Sequence, residues 1–591
     1  MKLTERLKQS MEGLIYAVMR YPLTSIFLIA TAVVNGVSIQ ISGFDQYDRL
    51  LATCIVGVLV SLVAQGVYER FFTEVVKRWL LALGAVIVTG LYYLTMINAP
   101  DFSLIISIRT AVLVFALVIA FIWIPTIKSK LVFDQSFLIV FKAFFTSGFF
   151  ALVIMLGVSL ILGATDQLLF NIGYRAYPHA GNIIFAVFAP MYFLSLIPRY
   201  YTDKQEVEQR VTWSRFLEIL VAYIIIPLVS VFTVILVLYI LLNIRGEFWT
   251  DNLLEPMLVT YSIIVIFVYM LGGTLENKLG NQFKRIFPKV LVPIVLFQTL
   301  ASFLKIQEEG LTHGRYFVIL YGIFAIISGV LFSIYKGKKN GVVALLLIVL
   351  SIISIVPPVD AFSVSRRSQI TQLEEVLMDN GMLINGEIQR ATEISEEDQR
   401  IISNITSYMS RMNYTEEISW IPENFDYYSN FEEVFGFSPY ASQEGMEVPI
   451  YRNFYRSQQE VIEISNYDYM IQAQFSNNGE DRGPGQDFET QEIGFSGETY
   501  EVGWGDVEER EGFYLKDSQN NPVLFIDIEE VVIRFEGRDS RNQPITQEEA
   551  TFYARDNGKS MAVIVNFLDI QDQEGQEQYS GDVYILVGME N

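Results

Sequence analysis

Eleven stretches of mainly apolar residues constrain this chain more than anything else in it: 22–41, 50–68, 79–97, 103–124, 137–163, 182–198, 217–243, 257–274, 287–305, 315–335 and 341–357. Each is close to the length a helix needs to cross a bilayer core. Hydrocarbon offers no hydrogen bond to a bare backbone, so each run predicts a helix. Pro288 and Pro293 interrupt the ninth, and Gln298 lies inside it, which predicts a discontinuous helix there. Residues 1–21 differ. Leu3, Leu7, Met11, Leu14 and Ile15 share one helical face, while Lys2, Arg6 and Lys8 fall elsewhere. That pattern predicts an amphipathic helix in the membrane interface. No small-residue cleavage site follows, so the first span reads as a retained anchor.

Charge divides the chain a second time. Residues 1–358 carry 27 Lys+Arg and 19 Asp+Glu, whereas residues 359–591 carry 15 and 46, together the net charge of −23. The first part is too apolar for water and the second too acidic for lipid. We therefore read a polytopic all-α bundle of about eleven transmembrane helices over 22–358. An acidic α+β domain with a mainly antiparallel sheet follows over 359–591. With the N-terminus inside, twenty of the 27 cations fall in cytoplasmic segments, five fall at outer ends, and Arg109 and Lys142 fall within spans. An odd number of crossings then places the acidic domain outside the cytoplasm.

Within the acidic domain, helices are expected at about 366–379, stopping at Gly381, and at about 394–411. Strands are expected at Glu460–Ile464, Tyr467–Phe475, Gly512–Lys516, Val523–Phe535, Met561–Phe567 and Asp582–Val587. The segment Asn520-Asn521-Pro522 reads as a hairpin turn. Thr546-x-x-Glu549 has the form of a capping box and predicts a helix ending at Gly558. Two subdomains could meet near 440–458, and Asn477–Gln486 reads as a loop.

Several function classes fall away. The longest internal loop, about 199–216, is too short for a catalytic domain of ordinary size. No phosphate loop or dinucleotide fingerprint occurs, so energy would come from an ion gradient or a separate energising subunit. No basic face is broad enough to track nucleic acid. One cysteine, Cys54, and two histidines, His179 and His313, leave no metal-ligand spacing, and no cofactor is implied. Among the carboxylates, Asp569, Asp572, Glu574 and Gly575 come nearest to a calcium loop, but the spacing fails. Both histidines fall in outer loops, unlike the buried base of a membrane acyltransferase, and loop 42–49 is too short for a glycosyltransferase site. Catalysis is therefore the weaker expectation.

Charges at membrane depth are costly and usually face a partner or a water-filled cavity. Arg109, Asp166, Arg175, Arg245, Lys305, His313 and Arg315 all fall near predicted outer ends. Together they could line a cationic vestibule for an anionic lipid or envelope precursor. The plainer alternative pairs Arg109 with Asp166 and has Thr312 cap the tenth helix. Lys142 and Glu218 lie near the inner interface, as anchors or an ion pair.

Certain segments also resemble a known family. They are Arg20-Tyr21-Pro22-Leu23, the run from Phe137 to Asp166, Gly310-Leu311-Thr312-His313-Gly314-Arg315-Tyr316-Phe317, Asp360-Ala361-Phe362-Ser363-Val364-Ser365 with Arg367-Ser368-Gln369, and Ser465-Asn466-Tyr467-Asp468-Tyr469. They are similar to the bacterial polytopic membrane family catalogued as domain of unknown function number 4153. The resemblance covers most of the chain and is strongest from the fifth span to the first outer helix. It implies a bacterial inner-membrane protein with an appended outer domain, and brings no catalytic residues with it. The expected partners are membrane lipids and envelope proteins. The expected role is sensor, scaffold or membrane component of a transport system. The alternatives are a stand-alone transporter or flippase, and an envelope-modifying enzyme.

Overall fold

The computed structural model describes residues 3–41, 45–97, 103–170, 172–201, 204–243, 254–390, 394–415, 418–422, 425–428, 430–439, 450–456, 461–476, 490–495, 497–508, 510–535, 543–573 and 576–589. The chain divides into two compact units, Met1–Gln372 and Leu373–Asn591.

The first unit is helical. It comprises α1 (Leu3–Arg20), α2 (Pro22–Gln40), α3 (Asp45–Phe71), α4 (Val75–Ile97), α5 (Leu104–Trp123) and α6 (Phe133–Leu168). Then come α7 (Ala176–Asn182), a π-helical segment Ile183–Phe188, α8 (Ala189–Ser195), α9 (Lys204–Val211), α10 (Arg215–Ile219) and a second π-helical segment, Leu220–Ile225. The unit continues with α11 (Ile226–Asn243), α12 (Leu254–Leu271), α13 (Lys278–Glu309), α14 (His313–Tyr335), α15 (Asn340–Ile353) and the start of α16 (Ala361–Asp379). Helix starts follow local chemistry. Pro22 opens α2, and the side chains of Asn277 and Thr312 accept from the backbone of Gly280 and Arg315 to cap α13 and α14.

Among the described residues, nine helices are long and apolar enough to cross a membrane. The other two expected runs differ. The run 182–198 contains a π-helical segment and is not among the nine, and 341–357 yields only the 14-residue α15. The expected break at the ninth run does not occur. α13 is one helix of 32 residues with Pro288 and Pro293 inside. α14 packs close enough to support it: a Cβ on Gly329 would lie 3.2 Å from the Pro288 carbonyl, and one on Gly322 would strike Thr299. Close packing against α14 supports the helix on both sides of its prolines.

Polar contacts sort the helix ends into two sets. At one end Arg20 reaches Glu69 and the carbonyls of Ile197 and Pro198, and Arg70 donates to the carbonyls of Ile127 and Lys128. Trp213 bonds Thr274 there, and Asn340 bonds Asp134. At the other end Gln40 meets His179, Arg109 meets Asp360, and Tyr316 donates to Val359. The segment 176–195 therefore has its two ends in different sets, as does 340–359.

The second unit contains a short hairpin, β1 (Leu383–Ile384) with β2 (Glu387–Ile388), then α17 (Glu396–Arg411) and α18 (Phe431–Phe435). Ser395 caps α17, accepting from Asp398 N. Beyond them lie β3 (Ile450–Arg456), β4 (Tyr469–Ser476), β5 (Gln491–Phe495), β6 (Glu498–Val507), β7 (Arg510–Asp517), β8 (Pro522–Asp527), α19 (Ile528–Phe535), β9 (Gln543–Ile545), β10 (Thr551–Asp556), β11 (Lys559–Gln573) and β12 (Gln576–Met589). One sheet runs β4-β12-β11-β3-β9, with β10 also paired to β11; the other is the meander β5-β6-β7-β8. All pairings are antiparallel except β3 with β9. The sheets share a core in which Phe475 meets Phe513 edge-on and Phe454 lies 4.9 Å from Phe535 of α19.

Three sequence expectations are corrected. Val523–Phe535 is strand β8 followed by α19, because Val531, Val532 and Phe535 bury one helical face. The described part of Glu460–Ile464 is irregular chain, whose Ile462 packs over Ala562, Ile564 and Leu586 instead of joining a sheet edge. Thr546 and Glu549 do exchange the capping-box bonds, at 2.9 and 3.4 Å, but close only one turn before β10. Asn557 and Gly558, both at positive φ, are the hairpin turn into β11. The expected subdomain junction falls largely outside the described residues, and so does the loop Asn477–Gln486.

Candidate functional site

Asp360 stands at the head of α16, where its Oδ1 accepts from the Ser363 N–H at 3.2 Å and its Oδ2 lies 2.5 Å from Arg109 Nη2. The Asp360 side chain is fully buried. Burial alone would raise its affinity for a proton; the bonds from Ser363 and Arg109 outweigh that and hold the carboxyl below its ordinary range. The Arg109 guanidinium also lies 5.2 Å from the Phe362 ring, and that ring stacks on His313 at 5.7 Å. Arg315 donates to the Gly310 carbonyl, and Ser368 accepts from Leu311 N. Gly310 has φ +71°, and a Cβ there would strike Gln369 and Gln372. Two separated segments, Gly310–Phe317 and Asp360–Gln369, thus form one site with Arg109.

The other expected vestibule residues are placed elsewhere. Arg175 donates to Gln40 Oε1 at 3.1 Å, and Gln40 Nε2 lies 2.6 Å from His179 Nε2. One turn along, Asn35 bonds Asn182. Asp166 accepts from the Ile172 N–H, so Arg109 pairs with Asp360 and not with Asp166. Lys305 is buried within α13, and Arg245 lies outside the described residues. Lys142 donates to the carbonyls of Arg210 and Thr212, while Glu218 accepts from Asn277; the expected ion pair of Lys142 with Glu218 is replaced by these bonds.

The opposite end holds two clusters that the sequence did not single out. Arg20 makes a two-pronged contact with Glu69, at 2.9 and 2.8 Å. Arg78 donates to Gln65 and to the carbonyls of Met19 and Arg20. Asp134 accepts from Asn340 at 2.7 Å beside Gly273 and Gly337. The available signal was a lone carboxylate, Glu69 or Asp134, at the edge of an apolar run. Lone charges there need a partner, but sequence does not name it.

Among the described residues no three His, Cys, Asp or Glu side chains converge to hold a metal. The Asp569 carboxyl is half-buried, and desolvation raises its pKa; Glu574 and Gly575 lie outside the described residues. What the Arg109–Asp360 arrangement does chemically is fasten: a charge-assisted bond ties α5 to the head of α16, and the Phe362–His313 ring contact ties that head to α14.

No curated protein and no solved structure matches the chain. One family profile matches residues 23–388, from α2 to the β1–β2 hairpin, and so includes Arg109, Gly310–Phe317 and Asp360–Gln369 but not Ser465–Tyr469. The profile covers more than half of the chain and the whole of the Arg109–Asp360 site, so the chain belongs to DUF4153, a family described as a domain of unknown function.

Proposed function

We propose that this is an integral protein of the bacterial inner membrane that works without catalysis, as a sensor, a scaffold or the membrane component of a transport system. Its N-terminus is cytoplasmic and its acidic domain extracytoplasmic. The observation that carries this reading is the use made of the outer-end cations. Arg109 holds Asp360, Arg175 holds Gln40, and Arg315 holds the Gly310 carbonyl. They tie helices together instead of lining a vestibule for an anion. Eleven crossings are supported by the end contacts of 176–195 and 340–359, which belong to opposite sets.

A stand-alone transporter is the second reading. It is favoured by Gln298, whose amide is buried in α13 with no hydrogen-bond partner among the described residues, and by the two π-helical segments. Proteoliposomes of the purified full chain distinguish the two. The proposal expects no flux of a fluorescent anionic lipid above that of empty vesicles. Flux that disappears with Gln298→Leu or Arg175→Gln would establish the transporter instead. Sidedness is tested with Cys54→Ser carrying single cysteines. Gln307→Cys and Ser518→Cys should react with an impermeant reagent in intact cells, and Ser214→Cys should not.

A further inference from the structure

The geometry points to a groove between α2, α3 and α4 that seats one acyl chain of an anionic phospholipid, with Arg78 binding its headgroup phosphate. The groove has a volume of about 300 Å³. Leu23, Ile26, Ala82, Leu83 and Val86 make its walls, and Ile26 and Leu83 are exposed, so it opens sideways on the helical unit. Its mouth lies where α1 and α3 end and α2 and α4 begin. From Arg78 to Val86 it follows α4 for eight residues, roughly 12 Å at the helical rise. One end is therefore interfacial and cationic, and the other is apolar and buried in the membrane. That polarity is the polarity of a phospholipid.

Arg78 is built as an anchor. Its Nε donates to Gln65 at 3.2 Å and its Nη2 to the carbonyls of Met19 and Arg20. These bonds fix the guanidinium plane, and among the described residues none uses Nη1. Among the described residues no carboxylate forms an ion pair with Arg78, whereas the neighbouring Arg20 is matched by Glu69. The exposed Trp79 also lines the groove, next to Arg78 in sequence. Cationic pockets between helices at a membrane surface take anionic headgroups, and indoles favour that depth. This site is independent of the sensor or scaffold reading; it could fail while that reading stands.

The test uses the full chain in detergent, titrated with phosphatidylglycerol or phosphatidylcholine carrying brominated acyl chains. Trp79 emission is isolated as the difference from Trp79→Phe. Half-maximal quenching should need about fivefold less phosphatidylglycerol than phosphatidylcholine, the factor for one cation near an anionic headgroup. Arg78→Gln should abolish the preference and Arg78→Lys retain most of it. Ala82→Phe, which fills the groove and leaves the charge alone, should weaken quenching by both lipids. Equal quenching by the two lipids in the unsubstituted protein overturns the proposal. So does a preference that survives Arg78→Gln, or quenching untouched by Ala82→Phe. Displacement of phosphatidylglycerol by millimolar inorganic phosphate alone would show a phosphate site without a chain groove, and would also overturn it.

Discussion

Asn340, the first residue of α15, donates from Nδ2 to Asp134 Oδ1 at the start of α6, 2.7 Å away across 206 positions of sequence. Both side chains are buried, and Gly273 beyond α12 completes the cluster, because a Cβ there would run into the Asp134 carboxyl. Gly273→Ala should therefore lower stability by about 1–3 kcal/mol, the usual range for overpacking. In an Asp134→Ala background the same change should cost much less. Thermal unfolding of the four proteins in detergent gives the coupling directly.

The Arg109–Asp360 pair predicts a pH signature. Asp360 is held below its ordinary range, so the stability it contributes is present above the unfolded carboxyl pKa, about 4. That contribution is lost as pH falls through the lower folded value. Arg109→Met should destabilise the protein near pH 7 by about 1–3 kcal/mol, by stranding a buried carboxylate. The gap to the unsubstituted protein should shrink below about pH 4. Adding Asp360→Asn should recover much of the loss at neutral pH.

Arg20 and Glu69 predict a larger effect. Arg20 is buried and bonded to both carboxylate oxygens and to two backbone carbonyls. Arg20→Met should cost about 3 kcal/mol. Arg20→Lys should recover only part of this, because an ammonium cannot make the two-pronged contact. Denaturation of the purified variants measures both.

Two glycines of the meander should behave oppositely. A Cβ on Gly512 would strike the Ile526 carbonyl and the Phe525 ring, whereas among the described residues one on Gly494 meets only the Glu498 carbonyl, at 4.0 Å. Gly512→Ala should weaken the β7–β8 pairing by about 1–3 kcal/mol, and Gly494→Ala should stay within about 0.5 kcal/mol. Hydrogen exchange of the amides on β7 and β8 reads the difference.

The acidic unit shows how far local signals reach. The Ser395 cap, the Gly381 stop and the β7–β8 hairpin were legible because each depends on a few neighbouring residues. Thr546 and Glu549 also form their local bonds, yet the chain turns into a strand, since β11 offers Thr551–Asp556 an antiparallel partner that no local cap can outweigh. Ile528–Phe535 departs from its local signal for a related reason. Its run of β-branched residues favours a strand in isolation, while burial of Val531, Val532 and Phe535 on one face selects a helix.

In the helical unit the sequence determined where apolar runs lie and which connections are cationic, because transfer into lipid acts on each segment by itself. The tertiary structure alone decided partnership: Arg109 with Asp360, Arg20 with Glu69, Asp134 with Asn340. Those pairs join residues 49 to 251 positions apart. A buried charge dictates that a partner must exist, and only the packing of the helices fixes which residue arrives beside it.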